Sequence, residues 1–152
     1  MPQRYTYLTI LGLLIFLTCS NLGCGGKKAW HADLHTTKGT MFVNGVPAEY
    51  ATLYFHSLGD TTVDVRETIP YAIVRADGSF IVSTYAPDDG VPVGEYAVTA
   101  RWPLDPDKMM SPDRLRGKYL QKTSPVTTVM IQEGDNQLPP IELNGVKLAK
   151  VP

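Results

Sequence analysis

The sequence predicts an all-β domain, an antiparallel sandwich of two sheets. Three observations predict it: short runs of alternating apolar and polar residues, turn signals between them, and almost no sustained helical periodicity. Seven such runs at regular spacing suit a sandwich, in which each strand buries one face and returns through a short connection.

The first strand spans 39–44, with Met41 and Val43 on one side, and Asn44-Gly45 followed by Pro47 marks a turn. The second spans 51–58, with Leu53 and Phe55 inward and Tyr54 and His56 outward. Runs 69–75 and 79–85 flank Ala76-Asp77-Gly78, where glycine permits the positive φ of a tight hairpin. After the loop 87–94, the strand 95–102 puts Tyr96, Val98, Ala100 and Trp102 on a single face. Tyr96 and Trp102 are therefore expected in the core, and a tyrosine so placed at a strand start anchors a sandwich corner through its hydroxyl. The last two strands, 126–132 and 141–143, flank the turn Glu133-Gly134-Asp135-Asn136.

The stretch 103–125 departs from this rhythm, with prolines at 103, 106, 112 and 125. Within it Ser111 is placed to cap a helix, Pro112 suits a first helical position, Asp113 matches the N-terminal dipole, and Gly117 stops the helix after little more than one turn. Connections this long are either functional or disordered. Leu115, Tyr119 and Leu120 supply apolar side chains to pack down, so an ordered loop is expected.

The front of the chain fixes the compartment. Arg4, the apolar run 8–17 and the small residue Gly23 are the parts of an export signal. The uninterrupted apolar run is half the length of a membrane span, which needs about 20 residues. Removing residues 1–23 from a chain of 152 leaves 129, enough for one domain with its own core. That step removes Arg4 and no acid, so the remaining 13 basic and 15 acidic residues give −2. The basic residues are dispersed apart from Arg114, Arg116 and Lys118, which argues against a nucleic-acid partner.

Cys24 directly follows Gly23, and Asn21-Leu22-Gly23-Cys24-Gly25-Gly26 resembles the lipobox of bacterial lipoproteins. That resemblance implies lipidation at Cys24 and a protein held to the cell membrane or outer membrane; release after cleavage is the alternative. Cys19 is expected to leave with the signal. One cysteine, used as the anchor, forms no disulfide, so the fold must rest on its apolar core. Residues 24–33 read as a tether, 34–145 as the sandwich and 146–152 as a tail.

The stretches 39–47, 51–56, 76–80, 89–90 and 94–99 together resemble the carboxypeptidase regulatory-like, or transthyretin-like, β-sandwich. With Gly23-Cys24-Gly25-Gly26 in front and Asp113 to Tyr119 behind, the whole resembles small envelope lipoproteins of planctomycete-type bacteria. The resemblance implies an immunoglobulin-like or prealbumin-like sandwich, no cofactor and no catalytic residues. A ring-opening hydrolase of purine breakdown shares this architecture, but its C-terminal Tyr-Arg-Gly-Ser signature is missing from 144–152.

The chemical inventory is short. His31, Asp33 and His35 alternate, so an extended strand would put two imidazoles and a carboxylate on one side, a weak metal-ligand set; following a tether, they read first as solvated side chains, and no metal is expected. Asp60, Asp88 and Asp89 are oxygen donors of the kind calcium takes, in loops that read as plain turns. No serine or cysteine nucleophile is paired with His56 by a local motif, so no hydrolytic triad is legible. Tyr85, Tyr119 and Trp102 offer flat faces for a sugar or an aromatic ligand, and Arg114, Arg116 and Lys118 a basic face for an anionic surface. The expected function is a non-enzymatic, lipid-anchored structural or protein-interaction module of the cell envelope, with the 103–125 loop as its contact surface. The alternative is a carbohydrate- or small-molecule-binding module using exposed aromatics.

Overall fold

The computed structural model describes residues 31–59 and 68–150. The expected signal segment, Cys24 as the expected anchor, the first part of the expected tether and Asp60 lie outside these residues. Nine strands occur among the described residues: β1 (Thr37–Val43), β2 (Val46–Pro47), β3 (Thr52–Ser57), β4 (Tyr71–Ile73), β5 (Ser79–Ile81), β6 (Gly94–Arg101), β7 (Thr127–Ile131), β8 (Asn136–Gln137) and β9 (Ile141–Leu143). One sheet has the order β4-β3-β6-β7 with every pair antiparallel. In the other, β1 pairs with all four remaining strands: β2 and β5 antiparallel, β8 and β9 parallel.

Two features correct the sequence reading. The sheets are not wholly antiparallel, and β2 and β8, with two residues each, are additional to the seven expected strands. Two residues cannot show a period of two, and the return of the chain from β7 to lie alongside β1 leaves no local signal. Among the described residues there is no helix, and 114–119 is a run of turns. Arg116 at φ 59° and Gly117 at φ 75° leave the right-handed helical region, which ends any helix before it closes. Asp113 rather than Ser111 organises these turns, its carboxylate accepting from the amides of Leu115 and Gly117 at 3.2 and 2.9 Å.

Both sheets feed one core. Met41, Val43, Phe80, Ile141 and Leu143 come from the five-stranded sheet, and Leu53, Phe55, Tyr96, Val98 and Ile131 from the other. The Phe55 ring meets Phe80 across the interface at 6.5 Å and Tyr96 edge-on at 6.4 Å. Alternation places them: on β3, Leu53 and Phe55 are fully buried while Tyr54 between them is exposed. Each such side chain contributes about 1.5–3 kcal/mol by leaving water. No disulfide joins the described residues, so this burial carries the fold.

Tyr96 anchors its corner as expected, donating its hydroxyl to the Pro92 carbonyl at 3.0 Å. Burial pushes its ionisation up from 10.0 to about 12. An acid whose folded pKa is raised stabilises the fold below the unfolded value and loses that contribution as pH climbs through the folded one. Alkaline titration is therefore expected to destabilise the domain between pH 10 and 12. In Tyr96→Phe, which is expected to cost about 1 kcal/mol at neutral pH, urea midpoints should flatten across that interval.

Candidate functional site

The connection between β6 and β7 is folded tightly against the domain. Its two limbs run antiparallel: the Trp102 amide donates to Asp113 Oδ1 at 2.8 Å, the Arg114 amide to the Trp102 carbonyl at 2.6 Å, and the Leu104 amide to the Pro112 carbonyl at 2.9 Å. Ser111 closes the far end, its carbonyl accepting from Arg101 at 2.6 Å and its hydroxyl from the Asp105 amide at 2.7 Å. Leu115 sinks into the core, and the Tyr119 carbonyl accepts from Ala100 of β6 at 2.9 Å. The loop is thus ordered, as its composition predicts. At its tip Met109 and Met110 stand 92% and 91% exposed.

Asp113 holds the loop by accepting from three amides, those of Trp102, Leu115 and Gly117. Asp113→Ala leaves all three without that acceptor and is expected to cost about 2 kcal/mol. Limited proteolysis should then cut between 103 and 125 before it cuts the strands.

Beneath the loop lies an open cavity of about 430 Å³, whose walls include Val43, Pro47, Tyr50, Trp102, Arg114 and Leu148. The Arg114 guanidinium covers the Trp102 indole, 4.8 Å from the ring centroid, an arrangement that favours a cation over a π face. One Arg114 Nη donates to the Leu104 carbonyl at 3.3 Å, while Nε is buried with no hydrogen-bond partner among the described residues. The indole N–H donates to the Glu49 carbonyl at 2.9 Å, which fixes the ring as a wall. The chain after 145 closes the rim: Val146 exchanges hydrogen bonds with the Asn44 side chain at 2.9 and 3.0 Å, and the Ala149 amide donates to the Arg114 carbonyl at 2.8 Å.

The opposite end of β1 holds the other residues singled out by the sequence. His31 stacks on Tyr85 with ring centroids 4.1 Å apart and planes at 7°, and the Tyr85 hydroxyl accepts from the Ala32 amide at 3.1 Å. Asp89 folds the adjacent turn by accepting from the amides of Thr84, Tyr85 and Ala86 at 2.6, 2.9 and 2.7 Å. Asp88 pairs with Arg75 at 3.0 Å. His35 Nδ1 accepts from the Gly134 amide at 2.9 Å. Among the described residues no three His, Cys, Asp or Glu side chains converge as a metal site.

The structure therefore separates what the sequence grouped. Tyr85 sits near the start of β1 and Arg114 near its end, about 20 Å apart along a strand of this length. Tyr119 is half-buried against the core, and the Lys118 ammonium lies 5.0 Å from its ring centroid. Arg116 and Lys118 are exposed to solvent, away from any ion pair among the described residues. Sequence reasoning missed Tyr50, Glu49 and Leu148 as cavity walls, because they come together only in the fold. It also passed over Met109-Met110, although two apolar residues at the middle of a polar, proline-rich connection were a legible signal.

His56 lies on the outer face of β3 with Nε2 2.9 Å from the Thr99 hydroxyl and Nδ1 buried without a hydrogen-bond partner among the described residues. Desolvation, aided by the charge of Lys122, lowers its pKa below 6.5. The folded ring therefore takes up its proton at lower pH than the unfolded one, and acid below 6.5 favours the unfolded chain. Comparisons with protein-family models, with curated proteins and with solved structures give no match for this chain.

Proposed function

We propose that this chain is a lipid-anchored, non-enzymatic module of the cell envelope, with a prealbumin-like sandwich that presents a protein-contact surface at the end remote from its anchor. The observation that carries the reading is the polarity of β1. The tether arrives through His31 and Ala32 at the start of that strand, and the pinned 103–125 loop with its exposed methionine pair stands at the other end. Methionine is flexible and polarizable, which suits a surface that must fit a partner. An ordered loop that holds two of them almost wholly in water has no folding reason to do so.

Fractionation of the envelope tests the anchor, and cross-linking tests the surface. The intact protein is expected in the membrane fraction and Cys24→Ala in the soluble one. Met109→Ser with Met110→Ser is expected to lose cross-linked partners while keeping its unfolding midpoint. Membrane retention of Cys24→Ala, or unchanged cross-links in the double variant, would sink the proposal.

A second reading is favoured by the cavity beside Trp102. Its aromatic and aliphatic walls and the Arg114 side chain suit a small ligand with a flat or apolar body and an acidic group. Tyr85 and Tyr119, already stacked on His31 and packed on the core, leave Tyr50 and Arg114 as the residues whose replacement should abolish such binding.

A further inference from the structure

We propose that the free edge of β7 is a self-association surface, where two copies of this chain pair β7 with β7 antiparallel about a two-fold axis through Val129. The remaining sheet edges are short or interrupted. β2 and β8 have two residues each, β2 includes Pro47, and β4, β5 and β9 have three. Pro139 and Pro140 precede β9, and Tyr71 of β4 is tied to Ser83 by hydrogen bonds of 2.9 and 2.8 Å. β7 differs from all of them. It runs for five residues, Thr-Thr-Val-Met-Ile, with no proline and no charge, and among the described residues it has β6 on one side and no strand on the other. A long, uncharged, β-branched edge is a template for another strand, and proteins that remain monomeric blunt such edges.

The side chains point to a second copy as the occupant. A two-fold axis at Val129 sets Thr127 opposite Ile131 and Thr128 opposite Met130, so no charge meets its like. Val129 faces inward, packs on the core and is only half-buried. Its counterpart on the axis would cover the exposed part. On the outer face Met130, 59% exposed, would lie against Thr128 of the copy. The contact is isologous and closed, and it joins two four-stranded sheets into one of eight.

Sedimentation of the intact chain in detergent tests the pairing and its register. Thr128 and Met130 are both exposed, so replacing them leaves the protomer's core untouched. The unaltered chain is expected to sediment as a dimer. Thr128→Lys with Met130→Lys puts like charges opposite each other across the axis and should give a monomer. Thr128→Glu with Met130→Lys puts opposite charges there and should dimerise at least about tenfold more tightly than the Lys/Lys variant. A monomeric unaltered chain, or two double variants with the same association constant, would overturn the proposal.

Discussion

Phe55→Ala is expected to lower the unfolding free energy by about 4 kcal/mol, the largest effect of any single truncation in this domain. Phe55 is completely buried and is the aromatic ring through which the two sheets touch, with Phe80 on one side and Tyr96 on the other. Its removal takes away the transfer term for the ring and leaves a space that neither partner can fill. Phe80 is held against the backbone of Gly39, where a Cβ would lie only 2.7 Å from the Phe80 ring, and Tyr96 by its bond to Pro92. Domains of this size are stable by only about 5–15 kcal/mol in total. Urea denaturation of Phe55→Ala and Phe55→Leu should separate the two terms: the leucine variant keeps most of the apolar volume and should lose less than half as much. Equal losses in the two variants would show that the site collapses freely, contrary to this packing.

Gly90→Ala is expected to cost about 3 kcal/mol, combining a φ of +99° with steric overlap. A methyl group there would meet the backbone of the preceding segment, 2.7 Å from the His35 carbonyl carbon and 3.1 Å from the Thr36 nitrogen. Neither strand can step back. His35 and Val91 exchange hydrogen bonds of 2.9 and 3.1 Å, the Gly90 amide donates to Val82 at 2.9 Å, and the Gly90 carbonyl accepts from Thr84 at 2.6 Å. Gly45→Ala is the matched control, since its φ is +78° but open space surrounds it, and it should lose only about 1 kcal/mol. Thermal midpoints of the two variants measured together read the steric part directly; coincident midpoints would refute it.

Most of the architecture was legible in the sequence because the exposed faces are polar enough to leave a period of two. Met41 and Val43, Leu53 and Phe55, and Tyr96, Val98 and Ala100 stand inward where alternation puts them. What alternation cannot show is pairing beyond the next strand. The parallel contacts of β1 with β8 and β9 join residues about a hundred positions apart, and their side-chain pattern is the same as that of an antiparallel neighbour. The helical turn expected at 111–117 failed for a local reason. Asp113 has three amides to satisfy, and a chain folded around one carboxylate makes successive turns more readily than a continuous helix. The candidate site was legible in part. The 103–125 loop and Arg114 could be named from the sequence, whereas the cavity needed Trp102, Tyr50 and Leu148 to converge from three distant stretches.

The position of β1 also decides how the domain withstands traction. It is the first strand of the fold and, among the described residues, the only one bonded to four others, two of them running in its own direction. Tension from the front of the chain acts along β1, while its hydrogen bonds lie across it, so the whole ladder shares the load in shear and no terminal rung peels first. A pull at the front of the described chain is thereby met by the strand with the most hydrogen-bonded neighbours.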